Sequence, residues 1–185
     1  MPGGIMLEVV DEADNVIGVR SRNEIHALGL RHREIHLWLV TLDNDIIFQH
    51  RSATKDTFPN LLDASAGGHV EVGQTYEQAA LMEAQEEAGL AIAPDQLRHL
   101  AKLDNYAVDE RLNKTNRAVR QTYWLRYSGK LSDLRIEAGE AVGFVALPAA
   151  KVFALTPDNA AGCIPGLFYD DYQPCWRALR RALGL

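Results

Sequence analysis

The stretch that most constrains this chain is GGHVEVGQTYEQAALMEAQEEAGL, residues 67–90. It is a glycine-containing turn followed by an uninterrupted helical run, with Thr75 placed to cap the start and Gly89 to end it. A helix advances roughly 100° per residue, so Glu83, Glu86 and Glu87 fall within a sector of about 100°. Tyr76 and Ala79 share that sector, whereas Leu81, Ala84 and Ala88 lie on another side and are the expected core contacts. Like charges three and four residues apart cost a few tenths of a kcal/mol per pair. A divalent cation that prefers oxygen ligands offsets that cost directly. A solvated acidic face is the plainer alternative.

The rest of the chain predicts a mixed architecture. LEVVDEADNVIGVRS reads as a hairpin turning at residues 12–15, and HREIHLWLVTLDNDIIFQHRS as a second one turning at residues 42–45. A helical turn is expected at residues 23–30 and extended chain at 61–72, with strands at 100–103, 117–127 and 141–147. A closing helix over residues 170–183 places Trp176, Leu179 and Leu183 at helical spacing. With 185 residues and no internal repeat, the chain is expected to form a single domain, 1–185, of the α/β (α+β) class.

Charge and composition narrow the partners. A net charge of −6 argues against a nucleic-acid polymer as partner, because such binding relies on a basic surface. No stretch reaches the roughly 20 apolar residues a membrane span needs. Cys163 and Cys175 are too few for a disulfide framework and are expected to be reduced thiols in a cytoplasmic protein. The opening residues lack the basic start and apolar run of a secretory signal.

Residues 67–90 resemble the Nudix box: Gly, five residues, Glu, seven residues, Arg-Glu, an aliphatic, any residue, Glu-Glu, any residue, Gly, aliphatic. Gly68 is the first Gly, Glu83 the Glu of the Arg-Glu pair, Glu86-Glu87 the Glu-Glu pair, and Gly89-Leu90 the end. The resemblance implies an α/β/α sandwich with a mixed sheet, Mg²⁺ or Mn²⁺ held by Glu83, Glu86 and Glu87, and a small diphosphate substrate. It also implies hydrolysis of a diphosphate linkage in a nucleoside diphosphate derivative, and a homodimer is compatible with it. Two positions depart: the first box Glu is Gln74 and the Arg is Met82. In the family these two pair and brace the loop against the helix. Losing both charges is close to neutral, whereas losing one would strand the other.

LRHREIHLWLV and RSATKDTFPNLLDASAGGH are similar to the Nudix branch related to isopentenyl-diphosphate isomerase. There a Cys precedes the Gly-His of the loop and a Glu lies on a later strand. Here those positions fall on Gly67 and, by spacing back from Glu140, on Gln121. Neither exchanges a proton at neutral pH, which disfavours an isomerase. His32 and His69 match metal-binding histidines of that isomerase, so a second metal site with His36 or His26 is an expectation, against ordinary strand histidines. Arg51 and Lys55 are candidates to hold phosphate, Arg by its fork and Lys as a point charge, with Arg117 and Arg120 behind them. The Gly67-Gly68 backbone would let substrate approach closely. Glu140, with Glu137 beside it, is the candidate further carboxylate, and the general base stays open among these residues. Phe58, Tyr106 or Trp124 is available to stack on a base. A non-catalytic binder of a nucleotide or diphosphate is the remaining alternative, supported by Gln74 and Met82.

Overall fold

Alternation along one long strand divides the molecule into two sides. The computed structural model describes residues 4–185. A hairpin of β1 (Met6–Val10) and β2 (Val16–Ser21) leads into α1 (Arg22–Leu28) and then into β3 (Arg31–Thr41) and β4 (Asp45–Arg51). The short strands β5 (Leu62–Asp63) and β6 (Ala66–His69) precede α2 (Tyr76–Ala88). After them come β7 (Arg98–Asp109), β8 (Lys114–Tyr127), β9 (Ala141–Pro148), α3 (Ala149–Val152) and α4 (Gln173–Ala182).

β3 pairs in parallel with β8 along its whole length, and β8 pairs antiparallel with β7. β3 and β4 pair only next to their turn, through Leu39↔Ile47 and Val40↔Ile46, and then diverge. The segment from β5 to β6 fills the fork, with β5 on β4 and β6 on β3. β9 closes the other edge of β4. The sheet is therefore mixed, as the sequence predicts.

Side chains of a strand alternate between faces. Ile35, Leu37 and Leu39 join Tyr123, Leu125 and Tyr127 of β8 under Ala79, Ala80, Ala84 and Ala88 of α2. Trp38 and Val40 face the other way, into a core with Cys175, Trp176 and Leu179 of α4. Four alanines on one face of α2 let the helix sit close to the sheet. Ala79, expected beside the carboxylates, is fully buried, while Leu81 is only half-buried. Strand β7 runs well beyond the predicted residues 100–103, carrying Tyr106, because its long antiparallel partner β8 supplies hydrogen bonds as far as Asp109↔Lys114. The closing helix begins three residues later than predicted, behind a 3₁₀ turn at Pro165–Phe168. Among the described residues no helix is long and apolar enough to cross a membrane.

Candidate functional site

The site starts with the caps of α2. Thr75 accepts from the Gln78 amide while the Gln78 side chain accepts from the Thr75 amide, and Gly89 ends the helix in the left-handed region. Those caps fix where the glutamates lie. Glu87 is buried, Glu83 half-buried and Glu86 exposed, so only the first two turn inward.

Glu87 Oε2 accepts from the Gly67 amide at 3.0 Å and from Gln49 Nε2 at 3.2 Å. The Glu83 carboxylate lies where a Cβ on Gly68 would be, so glycine is required there by space. Among the described residues no Lys, Arg or His comes within ion-pair distance of either carboxylate. Burial, then the charges of Glu86, Glu137, Glu140 and Glu71, push Glu83 up to about 7. Burial and the Glu83 charge push Glu87 up to about 8, against the lowering effect of the Gly67 amide. Two inward carboxylates with only oxygen donors and no cation form a donor set suited to a hard divalent ion.

The rim carries the charge predicted for a phosphate. Lys55 pairs with Glu140, and Arg51 pairs with Asp63 at 3.0 Å while donating to the carbonyls of Thr57 and Phe58. Asp63 pairs across strands with Gln49, which donates to Glu87, so the Arg51–Asp63 pair lies one strand position from the carboxylate site. The predicted brace positions also meet: Gln74 Nε2 donates to Met82 Sδ at 3.3 Å, a neutral contact.

A second cluster lies on the opposite face. His69 follows Gly68 on β6 and pairs with Glu34, so its side chain turns to the α4 side. There His26, His32 and His69 offer nitrogens that all lie within 4.8 Å of one another. His32 Nδ1 lies 3.1 Å from the Leu30 carbonyl and His26 Nδ1 3.4 Å from that of Thr115. A carbonyl only accepts, so each of these Nδ1 atoms donates, and His26 Nε2 lies 3.2 Å from His69 Nε2. Glu34 Oε1 lies 3.5 Å from His32 Nε2 and 3.8 Å from His69 Nε2. His32 Nε2 is buried without a hydrogen-bond partner. Burial pushes His69 down to about 3 despite the Glu34 charge, and burial and His32 lower His26 as well. Glu34 is buried, yet Arg120, at 2.7 Å, and His32 hold it well below the usual carboxylate range.

Of the two histidines offered for a third position, His26 joins the cluster. His36 instead contacts the Tyr172 hydroxyl at 2.9 Å, and a Cβ on Gly67 would come within 2.9 Å of its Cδ2. Gln121 pairs with Ile35 and so faces α2, on the opposite side of the sheet from the direction a Gly67 side chain would take. The spacing from Glu140 therefore does not bring Gln121 opposite Gly67, and Arg120 occupies that side instead. Arg117 is exposed and pairs with Glu12, away from both clusters. Phe58 and Tyr106 are exposed, while Trp124 lies 5.4 Å under the Arg126 guanidinium.

Sequence reasoning missed Gln49 and Glu34. Glu34 had a signal, since His32, Glu34 and His36 share one face of a strand by period two. Gln49 had none, because its role depends on the fork between β3 and β4.

The family model described as NUDIX domain matches residues 30–162. An uncharacterised Nudix hydrolase of Clostridium acetobutylicum is 29% identical over 160 residues, 80% of this chain and 77% of that protein. An uncharacterised Nudix hydrolase of Nostoc is 44% identical over 86 residues, 46% of this chain and 51% of that protein. The chain thus spans about half the length of the latter relative. The crystal structure of DR0079 from Deinococcus radiodurans superposes with a TM-score of 0.70 at 26% identity, covering 95% of this chain and 99% of that one. The NUDIX domain of Shewanella oneidensis NrtR, solved with ADP ribose, gives 0.57 at 15% identity over 89% of this chain and 99% of that one, a likeness of fold alone.

Proposed function

Because the chain belongs to the Nudix family, whose hydrolases act on pyrophosphate bonds, we propose that it hydrolyses the diphosphate linkage of a nucleoside diphosphate derivative. The observation that carries this reading is the inward pair Glu83 and Glu87, set against the Gly67-Gly68 backbone with no cationic side chain within ion-pair distance among the described residues. Glu83 and Glu87 would hold Mg²⁺ or Mn²⁺, with Glu86 reached through the exposed edge of the helix. The ion, when bound, neutralises diphosphate charge and lowers the pKa of water. Gln49 and the Gly67 amide orient Glu87 so that one oxygen is committed and the other is free. Arg51 and Lys55, already at the rim, hold phosphate oxygens by exchanging Asp63 and Glu140 for substrate. Glu140, released from Lys55 in that exchange, becomes available as a base.

The histidine cluster fits a different ion. Three imidazoles and one carboxylate form a nitrogen-rich set suited to Zn²⁺ or Mn²⁺ rather than Mg²⁺. We read His26, His32, His69 and Glu34 as that second site, with Asn116 and Arg120 orienting Glu34.

The test is product release from nucleoside di- and triphosphates, nucleotide sugars and prenyl diphosphates with Mg²⁺ and Mn²⁺, beside Glu87→Gln. Metal-dependent turnover lost in Glu87→Gln supports the hydrolase and names its substrate. Metal-dependent binding without turnover across the panel makes the protein a binder. Double-bond migration in a prenyl diphosphate makes it an isomerase.

A further inference from the structure

We propose that Arg33 is a positioning residue for the carboxylate site, acting through the N-terminal hairpin to lock the box loop and the rotation of α2. The inference rests on Glu83 and Glu87 being the metal ligands.

The geometry begins with how little holds the loop from within. Gln74 and Met82 touch only as amide and thioether, and the Glu71 amide donates to the Gln74 side chain at 3.0 Å. The charged contacts come from outside the box. Arg33 Nη1 donates to Glu8 Oε2 at 2.9 Å, and Glu8 Oε1 accepts from the Gly73 amide at 3.1 Å. Leu7 forms a bridge with Glu71, and the Val70 amide donates to the Arg33 carbonyl at 3.0 Å. The loop between β6 and α2 is therefore tied to the hairpin and to β3 at Val70, Glu71 and Gly73.

The same arginine reaches the helix. Arg33 Nε donates to Asp14 Oδ1 at 2.7 Å and Nη2 to the Asp14 carbonyl at 2.6 Å. Asp14 lies at the hairpin turn with φ of 69°, a conformation that a non-glycine residue adopts at some cost. Its carboxylate accepts from the Tyr76 hydroxyl at 3.0 and 3.1 Å, and the Arg33 guanidinium lies 5.5 Å over the Tyr76 ring. Tyr76 opens α2. Seven residues are nearly two full turns, so Tyr76 and Glu83 lie in line on the helix to within about 20°. Fixing the azimuth of Tyr76 fixes that of Glu83 against Gly68, and with it Glu87 against Gly67. Arg33, Glu8 and Asp14 are all largely buried, so these contacts are shielded from solvent.

The experiment compares Arg33→Met and the milder Tyr76→Phe, which keeps the ring, with the parent chain. Three quantities are read: the Mn²⁺ site that Glu87→Gln removes, turnover, and amide exchange of residues 67–75 against residues 35–41. Loss of a group that orients a metal ligand weakens metal affinity by about 10- to 100-fold. Arg33→Met should do so, lower kcat more than it changes KM, and speed exchange of the loop but not of β3. Tyr76→Phe should move the same quantities less. Adding Gln74→Glu with Met82→Arg, an ion pair at the existing contact, should recover most of the lost affinity in Arg33→Met. A merely structural defect would not respond to that pair. Unchanged Mn²⁺ affinity and loop exchange in Arg33→Met, where the parent binds Mn²⁺, overturn this inference alone. Absence of Mn²⁺ binding in the parent overturns the underlying reading and this inference together.

Discussion

The two faces of β6 carry opposite chemistry on neighbouring residues. Gly68 opens toward α2 and the carboxylates, while His69 turns to the imidazoles on the α4 side. Burial acts on both sides in the same sense, disfavouring charge. It pushes Glu83 and Glu87 up to about 7 and about 8 and His69 down to about 3. The consequence for metal binding differs. A neutral imidazole already presents its lone pair, whereas a protonated carboxyl must give up its proton before it ligates. On the proposed assignment, a neutral His69 needs no proton loss to ligate, whereas Glu83 and Glu87 would give up a proton when a cation arrives.

The sharpest way to break that contrast is Glu87→Gln. It should lower turnover by about a hundredfold or more, the cost of removing a key charge-stabilising group, measured as kcat with saturating Mg²⁺. Removing His32 by His32→Ala should instead weaken Zn²⁺ or Mn²⁺ at the histidine face, with Mg²⁺ affinity at the carboxylates unaffected in titration calorimetry. If Glu87→Gln spares turnover while His32→Ala removes it, the assignment of the faces is reversed.

Next in size are the two glycines. Gly68→Ala puts a methyl group into the Glu83 carboxylate. It should cut Mg²⁺ affinity and turnover by about tenfold or more, since small misplacement at a site is costly. Gly67→Ala meets His36 Cδ2 at 2.9 Å and the Ile35 carbonyl at 3.1 Å, and the backbone cannot swing aside. It should lower stability by about 1–3 kcal/mol, the range for overpacking, read as a shift in thermal midpoint. Adjacent glycines would then report on different faces, Gly68→Ala through activity and Gly67→Ala first through stability, with activity following because its amide holds Glu87 Oε2.

Much of this was legible in the sequence because it depends on local spacing. The caps at Thr75 and Gly89 fall within one short run and lie where the pattern places them, whereas Gly67 and Gly68 lie in strand β6 and Glu86 stays exposed while Glu83 and Glu87 turn inward. What could not be read depends on register between distant segments. Gln49 meets Glu87 only because β3 and β4 part and β6 enters between them. Gln121 was assigned by counting back from Glu140, yet strand register rather than loop length sets its face. The Glu8–Arg33–Asp14 chain joins three segments by long-range contacts that no periodicity announces.

The pH dependence of stability separates the faces without substrate. For the carboxylates the folded pKa lies above the unfolded value. Their folded state is therefore favoured at low pH and loses ground as pH rises from the ordinary carboxyl range through about 7 and about 8. For His69 the folded pKa is below the unfolded one, so stability is present above about 6.5 and is lost as pH falls toward about 3. In chelator, the thermal midpoint should decline from pH 6 to 8.5; Glu87→Gln should remove the part of that limb near about 8, and adding Glu83→Gln should flatten it while leaving the acid limb. Saturating Mg²⁺ should flatten it too, because the cation replaces the proton. A limb that survives Glu83→Gln combined with Glu87→Gln means the carboxylates do not cause it.

The smallest expected effect belongs to Glu86, and it tests whether the third glutamate is a ligand or a neighbour. Its side chain is exposed, yet after burial its charge is the largest contributor raising Glu83. If Glu86 acts only through that charge, Glu86→Gln lowers the Glu83 pKa. The metal-free alkaline decline then shifts to lower pH, and Mg²⁺ affinity changes by no more than a few-fold, as for a solvent-screened charge. If Glu86 swings in to coordinate, the same variant loses affinity by about tenfold or more, in the manner of a lost ligand. Titration calorimetry with Mg²⁺ distinguishes the two. The exposed rotamer favours the first outcome, which would leave Glu83 and Glu87 as the protein's own ligands and the remaining positions to water and substrate phosphate.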